Sequence, residues 1–217
     1  HDYGVTREAV IEHCRDIVSA VSIPVTADLE NCFGPHPDDA AQTIALASQT
    51  GLVGGSIEDS TGDKAAPTFE FAHALDRVVA AVEAARASEH GFVLTARAEA
   101  HLYGEADIDQ TIQRLNAFAD AGADVLFAPG LSTLDQVRAV CSSVSLPVNV
   151  VIMGELKNVT LAELAEAGVA RISVGGSFAY EAYSHFALVA QAVRNGNLGV
   201  LEPPADGLGP MLEALRS

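Results

Sequence analysis

The feature that most constrains the fold of this chain is a sixfold alternation of short apolar runs with longer helical patterns. The apolar runs are rich in Val, Ile and Leu and lack polar alternation, which is typical of parallel strands buried on both faces. They span residues 23–28, 52–58, 92–97, 123–129, 146–152 and 170–175. The helical patterns span residues 6–21, 37–51, 68–89, 107–122, 133–141, 160–168 and 177–196. Repeated strand and helix units of this kind predict an α/β fold with a parallel sheet.

Six such units fit either an open doubly wound sheet or a (β/α)8 barrel that lacks two units. An open sheet commonly carries a glycine-rich turn after its first strand, and the segment "ADLENCFG" does not have the GxGxxG form. We therefore expect a (β/α)8 TIM-type barrel. Such a barrel takes about 250 residues, and this chain of 217 residues opens inside a helix. We expect the first one or two N-terminal βα units to be absent, with residues 1–200 forming one barrel domain and residues 201–217 a C-terminal helical arm.

Charge and cysteine content exclude several classes of partner. Lys and Arg number 12 against 29 Asp and Glu, so the formal net charge is −17, which repels nucleic acid and anionic lipid. No apolar run approaches the length of a membrane span. The three cysteines, Cys14, Cys32 and Cys141, are too few and too widely spaced for a disulfide framework or a zinc knuckle. A reducing cytoplasm is the simplest setting for them.

Polar side chains cluster where the apolar runs end. They are Asp28 and Glu30, Glu58 and Asp59, Arg97 and Glu99, together with Asn149 inside the fifth run. Because the carboxyl ends of parallel barrel strands converge on one face, three or more carboxylates should meet there. Carboxylates crowded in a cleft repel one another and must bind either protons or a cation. Oxygen ligands without a Cys/His cluster favour Mg²⁺ or Mn²⁺.

Arg97 extends this hypothesis to a substrate, because its planar guanidinium suits a carboxylate. A divalent metal beside an arginine describes a site for a small dianionic or 2-oxo acid, whose developing enolate charge the metal would stabilise. A structural interpretation is also open. Any one of Asp28, Glu58 and Asp59 could be a helix cap or turn residue. Arg97 could equally form an ion pair with Glu99 or Glu58.

Several ordered motifs resemble those of the phosphoenolpyruvate mutase/isocitrate lyase superfamily. They are "PVTADLENCFG", "GGSIEDS", "VLTARAEAHL", "AGADVLFAPGL", "LPVNVV" and "GVARISVGGS". The resemblance runs from about the first helix to Gly196. It implies a Mg²⁺-dependent (β/α)8 barrel that breaks or forms C–C or P–C bonds of oxo acids through an enolate. It also implies a homodimer or homotetramer with helix exchange.

The resemblance assigns roles by position. It makes Asp28, Glu30 and Glu58 the metal ligands, with Arg97 and Glu58 as catalytic residues. Arg97 would bind the substrate carboxylate, and Glu99 and Asn149 would lie at the substrate.

Two departures from the family pattern limit the activity. Cys32 stands where the family has glycine, which would crowd the turn beside the metal. The loop "DSTGDKAAPTFE" lacks the K-K-C-G-H segment whose cysteine serves isocitrate and methylisocitrate lyases, so we expect neither reaction. Lys64 in this loop could be a mobile cation over the site, although an isolated lysine is more often solvated.

We therefore expect a Mg²⁺-dependent lyase or mutase acting on an oxaloacetate- or phosphonopyruvate-like acid. The alternative is a catalytically silent barrel that serves as a binding or assembly module. A Schiff-base aldolase ranks last, because the only two lysines, Lys64 and Lys157, both fall in predicted loops. Weaker candidates are His101 as an acid or base, Cys32 as a nucleophile, and residues 173–177 as a phosphate site.

Overall fold

The computed structural model describes residues 4–104 and 107–201, together with residues 209 and 213. The chain divides into two compact units, His1–Ser173 and Val174–Ser217. The first unit contains the whole parallel sheet, and the second contains the last long helix. Apart from residues 201, 209 and 213, the predicted C-terminal arm lies outside the described residues.

The sheet has six parallel strands, and their order in space is their order in the chain. The strands are β1 Thr26–Ala27, β2 Gly54–Glu58, β3 Val93–Arg97, β4 Val125–Phe127, β5 Val148–Val151 and β6 Arg171–Ser173. Each lies inside a predicted apolar run. Parallel neighbours in strict chain order, joined by helical crossovers, form the wall of a (β/α)8-type barrel, so the predicted fold class is confirmed.

Seven α-helices alternate with these strands in the described residues. They are α1 Arg7–Ala20, α2 Pro37–Ser48, α3 Phe71–Arg86, α4 Ile108–Asp120, α5 Leu134–Ser143, α6 Leu161–Glu166 and α7 Ser177–Arg194; short 3₁₀ turns occupy Gly154–Asn158 and Gly199–Leu201. The start of α6 shows why the helices begin where the sequence predicts. The Thr160 hydroxyl accepts a hydrogen bond from the Glu163 amide, and the Glu163 carboxylate accepts one from the Thr160 amide at 2.8 Å.

The prediction that the strands are buried on both faces is confirmed for the middle of the sheet and wrong for its edges. Every residue of β2 is buried, whereas Thr26 of β1 is exposed and Ile23, just before it, is 70% exposed. In β6, Arg171 and Ile172 are likewise exposed. The reason is that β1 and β6 are the edges of the described sheet, where one side of the strand has no neighbour.

Strand register places one row of side chains on a common face of the sheet. Glu58 pairs with Arg97, Arg97 with Phe127, Phe127 with Asn149, and Asn149 with Arg171. Residues directly opposed in parallel strands point to the same face. The row therefore carries the predicted site residues of three strands across the sheet.

Among the described residues, no helix is both long enough and apolar enough to span a bilayer.

Candidate active site

Arg97 is the centre of the site. Its Nη1 lies 2.5 Å from Asp28 Oδ2, its Nη2 3.1 Å from Glu58 Oε2, and its Nε 2.8 Å from Glu99 Oε1. The guanidinium also lies over the Phe127 ring, with its central carbon 5.0 Å from the ring centroid. Side chains from the ends of three strands thus meet as predicted, and the ion pairing of Arg97 with Glu99 and Glu58, which the sequence left open, is present.

Asp28 is held in place by its neighbours rather than by burial. Its side chain is 60% exposed, and its Oδ1 accepts hydrogen bonds from Ser56 Oγ at 3.0 Å and from the Glu30 amide at 3.1 Å. Ser56 lies two residues before Glu58 on the same face of β2, so strand alternation alone would have indicated it as a site residue that was not predicted.

Asp59 has a structural role, in contrast to Glu58 beside it. Its Oδ1 accepts the Glu99 amide at 2.8 Å, and its Oδ2 accepts a hydrogen bond from Arg114 at 2.9 Å. Asp59 is 2% exposed, and each of its carboxylate oxygens accepts one of these two hydrogen bonds. It therefore fixes the backbone of the loop that carries Glu99.

Within the described residues, Arg97 only partly neutralises the carboxylates around it. Burial raises the pKa of Glu58 to about 8 and that of Glu99 to about 7, although the Arg97 charge opposes both changes. Burial and the Asp28 charge also raise the pKa of Glu30. Burial alone would lower the pKa of Arg97, but the carboxylates around it outweigh burial and raise it. The site therefore favours additional positive charge, either protons or a cation.

A cavity of about 330 Å³ opens over these carboxylates. Asp28, Glu30 and Glu58 line it on the acidic side. The remaining walls are formed by Val5, Val10, Asn31, Phe33, Ser60, Gly62 and Tyr103. Tyr103 and Ser60 come from the loops after β3 and β2, and their hydroxyl oxygens are 3.1 Å apart. The volume suits a small molecule at the lower end of the usual range for ligand pockets.

The predicted metal ligands reach one cavity but are not arranged around a common point. Within residues 4–104 and 107–201, no three Asp, Glu, His or Cys side chains are grouped as a ready metal site. The Arg97 guanidinium instead contacts Asp28 and Glu58. The donor set itself, three carboxylates of which two have raised pKa values, fits a hard divalent cation such as Mg²⁺. The residues present thus suit the ion chemically, and the ligand roles of Asp28, Glu30 and Glu58 stay predictions.

The loop that follows Asp28 has an unusual backbone. Glu30, Cys32 and Phe33 have φ angles of 53°, 60° and 63°, in the left-handed region that favours glycine. Each such residue costs roughly 1–2 kcal/mol. Glycine, which the resemblance implies at the position of Cys32, would avoid this cost. The Cys32 side chain is fully buried, and burial raises its pKa to about 12, so its thiol stays protonated at neutral pH and is not a nucleophile.

Asn149 joins the site through the sheet rather than through the cavity. Its Nδ2 donates to Ser173 Oγ at 3.0 Å, and its Oδ1 accepts from Arg171 Nε at 2.9 Å. Arg171 also donates to Thr95 Oγ1 at 3.2 Å. Asn149 is 2% exposed and does not line the cavity described above, so its substrate-binding role stays a prediction.

The weaker candidates are two exposed lysines, a histidine with a buried ring nitrogen, and residues 173–177. Lys64 is exposed in a tight turn in which the Thr61 amide donates to the Pro67 carbonyl at 2.9 Å. Lys157 is exposed in the first 3₁₀ turn, so neither lysine is inside the sheet as a Schiff base requires. Burial lowers the pKa of His101, whose Nε2 is buried and has no hydrogen-bond partner in the described residues. The phosphate role of residues 173–177 stays a prediction.

The fold and the site define a βα-barrel protein with a carboxylate and arginine centre at the carboxyl ends of its strands. Residues 1–194 match the model of the phosphoenolpyruvate phosphomutase family, and the chain belongs to this family within the phosphoenolpyruvate mutase/isocitrate lyase superfamily. This superfamily contains lyases and mutases, and the expected superfamily is confirmed.

Individual relatives agree with this assignment. The chain is 30% identical over 180 residues to the 2-methylisocitrate lyase of Escherichia coli K12, covering 78% of this chain and 59% of that protein. It is similar to a proposed lyase/mutase from Burkholderia cenocepacia J2315, with a TM-score of 0.91, 43% identity, and coverage of 99% of this chain and 77% of that one. The fold also matches phosphonopyruvate hydrolase in complex with oxalate and Mg²⁺, with a TM-score of 0.80, 22% identity, and coverage of 99% and 77%.

The chain spans about three fifths of the length of the curated relatives it matches, for example 62% of a Mycobacterium tuberculosis protein of unassigned function.

Proposed function

We propose that this protein is a Mg²⁺-dependent lyase or mutase that cleaves or rearranges a C–C or P–C bond of a small 2-oxo acid through its enolate. Oxaloacetate-like and phosphonopyruvate-like acids are the substrate class. The observation that carries the proposal is the contact of Arg97 with Asp28, Glu58 and Glu99 beside a small acidic cavity. Carboxylates whose ionisation is disfavoured are suited to bind a metal ion, and the planar guanidinium of Arg97 beside them is suited to bind an anionic substrate.

Each residue has a distinct part in this proposal. Asp28, Glu30 and Glu58 would hold the ion, which when bound would stabilise negative charge that develops on an oxo-acid oxygen. Arg97 would donate its planar N–H groups to the substrate carboxylate. Phe127 packs against one face of the guanidinium and restrains its plane. Burial lets Glu58 or Glu99 hold a proton at neutral pH when no metal is bound.

The catalytically silent barrel is the second candidate, and one observation favours it. Asp28, Glu58 and Glu99 each contact one nitrogen of Arg97, which leaves at most two of its five N–H groups for a substrate carboxylate. The turn at residues 61–66 also contains no cysteine that could replace the acid or base of the isocitrate lyases. We propose a reducing cytoplasm as the setting of either function, where the three free cysteines would stay reduced.

Turnover separates the two candidates. The full chain is incubated with Mg²⁺ and each member of a panel that includes oxaloacetate, phosphonopyruvate and 2-methylisocitrate. We expect turnover of an oxaloacetate- or phosphonopyruvate-like acid that is lost with EDTA and in Asp28→Asn. Asp135→Asn is the matched control, because that side chain is 94% exposed and pairs only with Arg138 among the described residues. Absence of turnover across the panel would contradict the enzyme proposal and favour the silent barrel.

A further inference from the structure

Arg77 is a cation enclosed in the interior, on the face of α3 that packs toward the sheet. It is 1% exposed, and the buried residues that share its helix are Ala74, Val78, Ala81 and Ala85. An arginine in such an apolar row is costly to bury unless its N–H groups are used. The contacts that it makes therefore indicate its purpose.

The Arg77 guanidinium donates to the backbone of two separate loops. Nη1 donates to the Glu58 carbonyl at 3.0 Å, at the end of β2. Nη2 donates to the Gly34 carbonyl at 3.0 Å and to the Asn31 carbonyl, both in the loop after β1. One side chain thus joins the backbone of the loop that carries Glu30 to the backbone of Glu58.

The loop after β1 is joined to the end of β2 by backbone and side-chain contacts. The Glu58 amide donates to the Glu30 carbonyl at 3.1 Å, whereas the Asn31 and Gly34 carbonyls accept hydrogen bonds from Arg77. Buried carbonyls without a ladder partner require donors from elsewhere, and a strained backbone persists only where its surroundings fix it. The Phe69 ring lies 4.4 Å from the central carbon of the guanidinium and restrains its plane. Nε of Arg77 has no partner in the described residues, so the side chain is oriented for the carbonyls at the expense of one N–H group.

We infer that Arg77 is a positioning residue, whose guanidinium sets the distance between the carboxylates of Glu30 and Glu58 by clamping the backbone on which they stand. Arg77 does not line the cavity and acts only through the two loops. The inference rests on the proposed function in one respect, namely that these carboxylates bind Mg²⁺. Its structural part, the clamping of the loop at residues 30–34, is independent of any metal.

The test compares Arg77→Met, Arg77→Lys and Arg86→Met with the wild type. Arg86 is the matched control, because it lies on the same helix and donates to the Gly122 carbonyl at 2.8 Å, away from the site. Amide hydrogen exchange at residues 30–34 reports the clamp, and calorimetric titration with Mg²⁺ in the presence of oxalate reports the carboxylates. Thermal unfolding is recorded for each variant as the measure of general stability.

We expect Arg77→Met to increase exchange at residues 30–34 and to weaken Mg²⁺ binding about 10- to 100-fold, the usual effect of losing a residue that orients metal ligands. Arg77→Lys should recover part of both, because an ammonium can donate to some of the same carbonyls. Arg86→Met should leave both within about twofold of wild type, whatever its melting temperature. Equal effects of Arg77→Met and Arg86→Met on exchange and binding would overturn the inference.

Two further results keep the test decisive. If Arg77→Met does not fold, Phe69→Leu removes the stacking face and keeps the donors, and unchanged exchange at residues 30–34 in that variant would overturn the inference. If wild type does not bind Mg²⁺ and oxalate, the proposed function fails, while hydrogen exchange still decides whether Arg77 clamps the loop.

Discussion

Cys32 combines a fully buried side chain with a left-handed backbone, at φ 60°. Removing its Cβ should relieve backbone strain, whereas removing only the thiol should not. We predict that Cys32→Gly is more stable than Cys32→Ala by about 1 kcal/mol. At Cys14, inside α1, the order should be reversed by a similar amount, because glycine weakens a helix relative to alanine. Denaturant unfolding of the four variants checks this, and the same order at both positions would show that the turn is not strained.

The raised pKa of Glu58 makes the stability of the metal-free protein depend on pH. Its pKa rises from 4.5 to about 8 on folding because of burial, so the folded state holds a proton that the unfolded state releases. The stabilising contribution is complete below pH 4.5 and is lost as pH rises toward about 8. The free energy of unfolding should decrease by up to about 1.4 kcal/mol per pH unit in this window.

Glu58→Gln isolates this effect from the other titrating groups, including Glu99, whose pKa is also raised. The difference in unfolding free energy between wild type and Glu58→Gln, measured in EDTA from pH 5 to pH 8, should shift against wild type as pH rises. A difference that is flat, or that favours wild type at high pH, would mean that Glu58 is ionised in the folded protein.

Strand β2 begins with two glycines, Gly54 and Gly55, and neighbouring atoms occupy the space that their side chains would need. A Cβ on Gly54 would lie 2.6 Å from the Val93 carbonyl oxygen, which is backbone and cannot rotate away. We predict that Gly54→Ala destabilises the protein by about 1–3 kcal/mol through overpacking. Val53→Ala, at a 41% exposed neighbour, should cost no more than about 0.5 kcal/mol. Thermal unfolding of both variants measures the difference, and equal stability would show that β2 and β3 can move apart.

At the scale of elements, the sequence predicts the strand ends well because the chemistry follows the topology. Asp28 directly follows β1, and Glu58 and Arg97 end β2 and β3; the ends of consecutive parallel strands must meet on one face. The partners of Arg97 could not be chosen from sequence, since the same guanidinium can bind a carboxylate of the protein or of a substrate. Arg77 was missed because its role depends on how α3 faces two loops that are distant from it in sequence.

At the scale of the molecule, α7 carries large apolar side chains on several of its sides. They are Phe178, Tyr180, Tyr183, Phe186 and Leu188. Helices that are hydrophobic on several sides are normally covered. We propose that a second copy of this chain covers α7, which gives the homodimer or homotetramer that the family resemblance implies.

Sedimentation velocity at micromolar concentration should therefore detect a dimer or tetramer. Tyr183→Glu combined with Phe186→Glu should shift the protein toward monomer, because each places a charge on the covered face. Gln191→Glu adds the same charge at a polar position of α7 and should leave the assembly unchanged. A monomeric wild type would contradict the proposal.

The central claim, that the carboxylates and Arg97 form one site for Mg²⁺ and an oxo acid, is tested most directly by calorimetric titration with oxalate, an enolate mimic. We expect wild type to bind oxalate only with Mg²⁺, and Arg97→Ala to weaken binding about 10-fold or more through loss of charged hydrogen bonds. Arg138→Ala, at a half-exposed arginine that pairs with Asp135, should bind like wild type. Oxalate affinity that is indifferent to Mg²⁺ and to Arg97→Ala, or no binding by wild type, would contradict the account.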